Sequence, residues 1–167
     1  MNYDCRPARQ NYGAHLIALA LFAAFAASLV ISSLMPYAVL WQTLGLVCLL
    51  PAIQLVARYL ASRYLYRFRV CEDGSAQLEI YVYRGGARMQ LVCCVGAEEI
   101  TAMQALKKEN AKAPKGCKRY NYAQDLRPRE ATVLSVSNAD GACEVLFCPD
   151  AGLYRLLAEH VAGKAEK

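Results

Sequence analysis

The polar and apolar positions of this chain change rhythm along its length, and the first stretch has no polar rhythm at all: residues 10–57, between Arg9 and Arg58, contain no Asp, Glu, Lys or Arg, a run of 48 positions. A bilayer's hydrocarbon core is about 30 Å thick and takes about 20 apolar residues per helical pass. The run is too long for one helix and fits two. The pattern predicts spans over residues 14–35 and 37–60, broken at Ser32-Ser33-Leu34-Met35-Pro36. So short and uncharged a turn makes the two helices antiparallel neighbours. Ala24-Phe25-Ala26 has the small residues of a signal-peptide cleavage site, but a second apolar span follows at once, so the segment is expected to stay as an anchor.

From Tyr64 the period becomes two. In residues 64–70 aromatic and aliphatic side chains alternate with basic ones, as in a strand with one dry and one wet face. Asp73-Gly74-Ser75 turns the chain, residues 77–83 alternate again, Arg84-Gly85-Gly86 makes a second turn, and residues 88–95 supply a third strand. Residues 98–106 fit either a fourth strand through Ile100 and Met103 or a short helix, and residues 107–116 read as a loop. Residues 119–123 form a short strand. Residues 132–137 and 142–148 flank Asn138-Ala139-Asp140-Gly141, a strong hairpin signal. After Pro149 the period becomes helical: Leu153, Leu156, Leu157, His160 and Val161 form one stripe, with Asp150 placed to cap the start and Gly163 the end.

The expected architecture is thus an α+β membrane protein. Residues 1–13 form an N-terminal arm and 14–60 a transmembrane helical hairpin. Residues 62–163 form a strongly bent antiparallel sheet of six or seven strands closed by a C-terminal helix over 150–162, and 164–167 a tail. The whole chain has 167 residues and is 56% hydrophobic, above an ordinary soluble composition, with the excess in the predicted spans.

Charge sets the expected orientation. Arg6 and Arg9 precede the first span, while Arg58, Arg63, Arg67 and Arg69 follow the second, so the positive-inside bias puts both ends in the cytoplasm of a cell membrane. Arg6, Arg9, Arg58 and Arg63, with Trp41 and Tyr59, are the expected interface anchors; Tyr37 and Tyr64 extend the aromatic belts. Ala20, Ala23, Ala24, Ala27 and Ser28 form a small-residue strip suited either to the hairpin contact or to a homo-oligomer. Pro51 is expected to kink the second span. His15, Trp41, Gln42 and Gln54 are its nearest approach to polar features, which disfavours a channel or carrier.

Two apolar helices, four strands, a basic loop, three strands and a closing helix resemble the bacterial pleckstrin-homology-like domain membrane proteins. The residues carrying the resemblance are 64–70 directly off the second span, the Gly85-Gly86 hairpin, 98–103, and 143–148 running through Pro149-Asp150 into 153–161. The resemblance implies the PH superfold and a role in binding lipid, peptide or protein; it transfers architecture more safely than activity. The chain departs from the phosphoinositide-binding pattern in its first hairpin, where Asp73-Gly74-Ser75 is acidic.

The most suggestive polar stretch is residues 107–119. Lys107, Lys108, Lys112, Lys115, Lys118 and Arg119 stand against a lone Glu109, a net charge of +5 that equals that of the entire chain. Such a segment is drawn to anionic headgroups or a partner, although a solvated loop that obeys the positive-inside bias is the favoured reading. No stacking platform accompanies it, so no nucleic-acid partner is expected. No cofactor, metal or catalytic set is expected either. Eight cysteines include no CxxC and have no zinc-like spacing to His15 or His160; they read as reduced apolar fillers. Adjacent Glu98 and Glu99 would point to opposite faces of a strand. Gly85-Gly86 lacks a phosphate loop's spacing. The expected function is a membrane-anchored, non-enzymatic interaction module for a protein, peptide or anionic-lipid partner. The alternatives are a structural subunit of a larger membrane complex and, less favoured, a small enzyme or transporter.

Overall fold

The computed structural model describes every residue except 1, 10, 11, 73, 85–87, 108, 109, 111, 129, 139, 140 and 163–167. The chain divides into two compact units. One is built on the two apolar helices; the other comprises residues 1–9, 63–124 and 128–167.

In the helical unit, α1 spans Gly13–Leu34 and α2 spans Ala38–Leu55, with one π-helical turn at Val56–Leu60 extending α2. Pro51 lies inside α2, where it supplies no backbone N–H to the helix, and the π turn follows within a few residues. Tyr37 makes the reversal with a left-handed backbone (φ 67°), directly after Pro36. The helices pack through small residues: Ala14, Ala18 and Ser28 are buried on α1, Gly45 and Ala52 on α2. Gly45 allows this approach, because a Cβ there would run into the Ser28 hydroxyl. The expected strip contributes only Ser28 to this contact. Ala20, Ala23, Ala24 and Ala27 face outward, since the helices meet on the Ala14, Ala18 and Ser28 side. Both helices are apolar all round, with Leu16 67% and Val39 76% exposed. At 22 and 23 residues each is long and apolar enough to cross a membrane.

Among the described residues the second unit holds eight strands in two four-stranded sheets, where the sequence predicts one bent sheet of six or seven. Sheet A has the order β1 (Asn2–Cys5), β2 (Ser62–Val70), β3 (Ala76–Arg84) and β4 (Gln90–Gly96). Sheet B has the order β5 (Ile100–Ala105), β7 (Thr132–Asn138), β8 (Gly141–Phe147) and β6 (Lys118–Asn121). One turn of 3-10 helix at Ala97–Glu99, fastened by Glu99 Oε2 accepting from the Gly96 amide at 3.0 Å, turns the chain from one sheet to the other. The ambiguous 98–106 segment is therefore mostly strand. The short strand expected at 119–123 begins one residue earlier and pairs with β8 in parallel, not antiparallel, because the loop after β5 brings the chain alongside β8 in the same direction.

The N-terminal arm contributes β1. Asn2↔Arg69 through Cys5↔Tyr66 pair antiparallel, placing Tyr3 and the buried Cys5 against the core and Asp4 outward. Asp4 accepts two hydrogen bonds from Arg67, Nε to Oδ1 at 2.7 Å and Nη2 to Oδ2 at 2.8 Å. Arg67 also sits over the Tyr81 ring at 5.5 Å, and Arg69 lies 3.9 Å from the buried Glu79, so both arginines have partners within sheet A. Tyr3 donates to Asp150 at 3.0 Å, with its ring so close to Gly152 that a Cβ there would clash with it.

Helix α3 (Ala151–Ala162) closes the core. Asp150 caps it, Oδ1 accepting from the Leu153 amide at 2.8 Å, as expected. Leu153 and Leu157 are fully buried against Phe68, Leu78, Ile80, Leu134 and Phe147. His160 stacks edge-on against Phe68 at 5.0 Å and its Nδ1–H donates to the Leu156 carbonyl at 2.9 Å, the satisfied core histidine that its place on the stripe implies. Tyr66 is buried edge-on against Phe147, and its hydroxyl donates to the Tyr122 carbonyl at 2.9 Å. Of the expected turn residues, Asp73, Gly85, Gly86, Ala139, Asp140 and the helix-ending Gly163 lie outside the described residues. All eight cysteines are free thiols.

The Asp4–Arg67 pair gives sheet A an acid limit. The Arg67 guanidinium holds the Asp4 carboxyl below its ordinary value, through hydrogen bonding first and charge second, so the folded state binds this proton more weakly than the unfolded one. Its contribution is complete above the ordinary carboxylate range and fades as the pH falls through the lowered value. Asp4→Asn is expected to flatten the acid limb of the thermal-stability profile below about pH 4 and to lower stability at neutral pH.

Candidate functional site

Both sheets leave a strand edge open on the same side of the second unit. Among the described residues each ends in a strand with only one neighbour, β4 in sheet A and β6 in sheet B. Between them lies a cleft of about 570 Å³ lined by Val92, Cys93 and Cys94 from β4, Lys118 and Tyr120 from β6, Tyr122, and the start of β8 from Gly141 to Cys143. A bulge in β4 shapes the rim. The register steps from Ile80↔Cys93 to Tyr81↔Leu91, leaving Val92 without a Cα partner, and its carbonyl accepts from the Tyr122 hydroxyl at 3.2 Å. That hydrogen bond joins the rims at one point.

Burial pushes the Cys93 thiol up to about 11 and raises those of Cys94 and Cys143, so all three remain protonated at neutral pH, unlike a nucleophilic cysteine. Glu99, at the floor, is engaged by the Gly96 amide. Among the described residues no cluster of His, Cys, Asp or Glu is arranged to hold a metal ion.

The basic stretch is dispersed by the fold. Lys107, Lys112, Lys115 and Lys118 are exposed. Lys107 shares one shallow depression with Gln104 and Asn110, Lys115 another with Thr101 and Ser135, and Lys118 faces the β4–β6 cleft. Asn110 holds the start of the loop by donating to the Ala105 carbonyl at 2.9 Å. Arg119 is turned inward: opposite Glu144 in the parallel register, it places Nε at 2.7 Å and Nη2 at 2.6 Å from Glu144 Oε2, with only 12% and 10% of the two side chains exposed. Lys108 lies outside the described residues.

The expected interface anchors fall in two places. Trp41 is half-buried on α2, and the Arg58 guanidinium lies 5.5 Å above the Tyr59 ring. Arg6, Arg9 and Arg63 instead converge on a concavity of about 280 Å³ that they line with Pro7, Tyr64, Tyr83 and Gln124. This convergence is invisible in the linear pattern. Arg6 and Arg63 are far apart in the chain, and only the pairing of β1 with β2 brings them together.

Compared with family models, with curated proteins and with solved structures, the chain finds no match.

The Arg119–Glu144 pair fastens β6, and with it one wall of the cleft. Arg119→Ala strands a nearly buried carboxylate and is expected to cost about 3–5 kcal/mol, whereas Arg119→Met combined with Glu144→Leu recovers most of the loss. Chemical denaturation of the full chain in detergent measures both.

Proposed function

We propose that this chain is a bilayer-anchored, non-enzymatic interaction module of the PH-like kind. Its helices cross the cell membrane as a two-pass hairpin and its sheets stand in the cytoplasm, where the β4–β6 cleft takes an extended segment of a protein partner. The order of elements supports the PH-like reading: after the two apolar helices come seven strands in two sheets and a capped C-terminal helix.

Connectivity supports the anchor. The chain enters the helical unit just after β1 and leaves it into β2, and these two strands pair in one sheet. A segment bracketed in this way must return to the side from which it left. It can cross a bilayer only an even number of times, and two spans satisfy that. The continuous apolar surface of both helices is costly in water and at home in lipid. Arginines flanking both ends of the apolar run favour the cytoplasmic side.

The observation that carries the partner class is the cleft between two open strand edges. Edge strands present unpaired N–H and C=O groups that an added strand satisfies, with specificity supplied by alternate side-chain contacts. β4 is seven residues long, a sufficient template for a peptide strand, and Lys118 and the exposed Tyr120 flank it across the gap.

A photo-crosslinking residue placed at Tyr120 in the full chain in cells is expected to capture a discrete partner, and Ala142→Trp, which fills the cleft, to remove that product. The same probe at Tyr154, exposed on α3, serves as the control. Equal capture from both positions, or capture indifferent to Ala142→Trp in a protein that still folds, contradicts the assignment.

A further inference from the structure

We infer that the Tyr122 hydroxyl stands in for a backbone N–H of the segment that binds in the β4–β6 cleft, and that the bound segment takes the Val92 carbonyl from it. The inference rests on reading the cleft as a site of strand addition, and it names the group that governs such addition.

Hydrogen bonds at two points show which way the edge of β4 faces. The Val92 carbonyl accepts from the Tyr122 hydroxyl across the cleft, and the Gly96 amide is taken by the Glu99 carboxylate. Both groups are therefore turned away from β3. Successive residues of a strand turn their backbone groups to opposite sides, so Cys94, midway between the two, presents its N–H and C=O to the same side. Among the described residues no strand pairs with β4 there. The Gly96 end is closed locally, because Glu99 belongs to the 3-10 turn that leads into sheet B. The stretch of edge left for an added strand runs from Val92 to Cys94.

The bulge makes the Val92 carbonyl the critical group. Val92 has no Cα partner on β3, since the register steps from Ile80↔Cys93 to Tyr81↔Leu91, and its carbonyl leaves the ladder toward the cleft. At 3.2 Å the bond it receives is longer than the range of about 2.5–3.0 Å usual for O–H···O hydrogen bonds. A backbone N–H carried by a paired strand makes such a bond at about 2.9 Å. The carbonyl is thus satisfied with or without a partner.

Tyr122 is held so that only its hydroxyl has to yield. Its amide donates to the Leu146 carbonyl at 2.8 Å, its carbonyl accepts from the Tyr66 hydroxyl at 2.9 Å, and its ring lies edge-on to that of Tyr64 with centroids 6.1 Å apart. The ring and backbone keep these contacts when the hydroxyl, part of the cleft lining, passes to water. An intramolecular donor of this kind protects an open edge from indiscriminate pairing. A partner has to bring an N–H to Val92, and an extended segment with proline at that position is rejected.

The probe is a peptide. Seven-residue peptides, the length of β4, are selected from a displayed random library on the full chain in a mild detergent, and those still bound by Ala142→Trp are discarded. The affinity of a recovered peptide is then measured by fluorescence anisotropy. Tyr122→Phe removes the hydroxyl and keeps the ring, and is expected to bind the peptide about three- to tenfold tighter, the scale of one hydrogen bond no longer competed for. N-methylation of the one peptide residue that faces Val92 is expected to abolish this gain.

Equal or weaker binding by Tyr122→Phe with an unchanged circular-dichroism melt overturns the inference, as does a gain that no single N-methylated peptide removes. In both cases peptides lost on Ala142→Trp still support strand addition in the cleft. Recovery of no cleft-dependent peptide overturns that reading and this inference with it. Should Tyr122→Phe fail to fold, O-methyltyrosine at position 122 removes the donor in its place and is judged by the same outcomes.

Discussion

Every other feature of this molecule depends on one pairing of strands. Four residues at the start of the chain, Asn2–Cys5, lie antiparallel against Arg69–Tyr66 of β2, although the whole apolar run separates the two in sequence. The pairing makes the helical unit an insertion between neighbouring strands of one sheet. An insertion of this kind has to begin and end at one place, and this restricts what two long apolar helices can do. The pairing is locally reinforced at each residue with a partner to find. Cys5 is buried, Asp4 is gripped by Arg67, and Tyr3 reaches across to the Asp150 that caps α3. The short strand thus ties the sheet and the closing helix together.

Two groups of arginines are set apart by the fold. Arg67 and Arg119 each neutralise a carboxylate, Asp4 and Glu144 respectively, and hold an edge strand in place. Arg6, Arg9 and Arg63 line one concavity with Pro7, Tyr64, Tyr83 and Gln124. Lys107, Lys112, Lys115 and Lys118 belong to neither group; all four are exposed, and Lys107, Lys115 and Lys118 line separate depressions. Sheet edges show the same division: β1 covers one edge of β2, while β4 and β6 stay open over the cleft.

What was legible in the sequence follows from the range of the interactions involved. The helices were legible because an uninterrupted apolar run is a local property, and α3 because Asp150 and the Leu153, Leu157 stripe lie within a few turns of one another. The β7–β8 hairpin was legible for the same reason, with Asn138 and Gly141 directly paired across the turn. β1 was not, since four residues in which Tyr3 and Cys5 alternate with Asn2 and Asp4 are too few to establish a period, and their partner strand is remote. The parallel pairing of β6 depends on where a loop returns, which no local signal encodes. Of the strip from Ala20 to Ser28 only Ser28 is buried in the hairpin, because small residues mark where helices can approach, and Gly45 opposite Ser28 determines where these two do. Arg119 looked like one of a row of cations because Glu144, its partner, enters only through sheet register.

Site-specific labelling of single cysteines, in a chain whose native cysteines are replaced, tests most directly the claim that the helices form a two-pass anchor returning to its starting side. A membrane-impermeant maleimide applied to intact cells is predicted to label Met35→Cys at the turn between the helices, and to reach Ala8→Cys and Glu72→Cys only after the membrane is opened. Labelling of Ala8→Cys and Glu72→Cys from opposite sides, or of all three positions alike in intact cells, would contradict it.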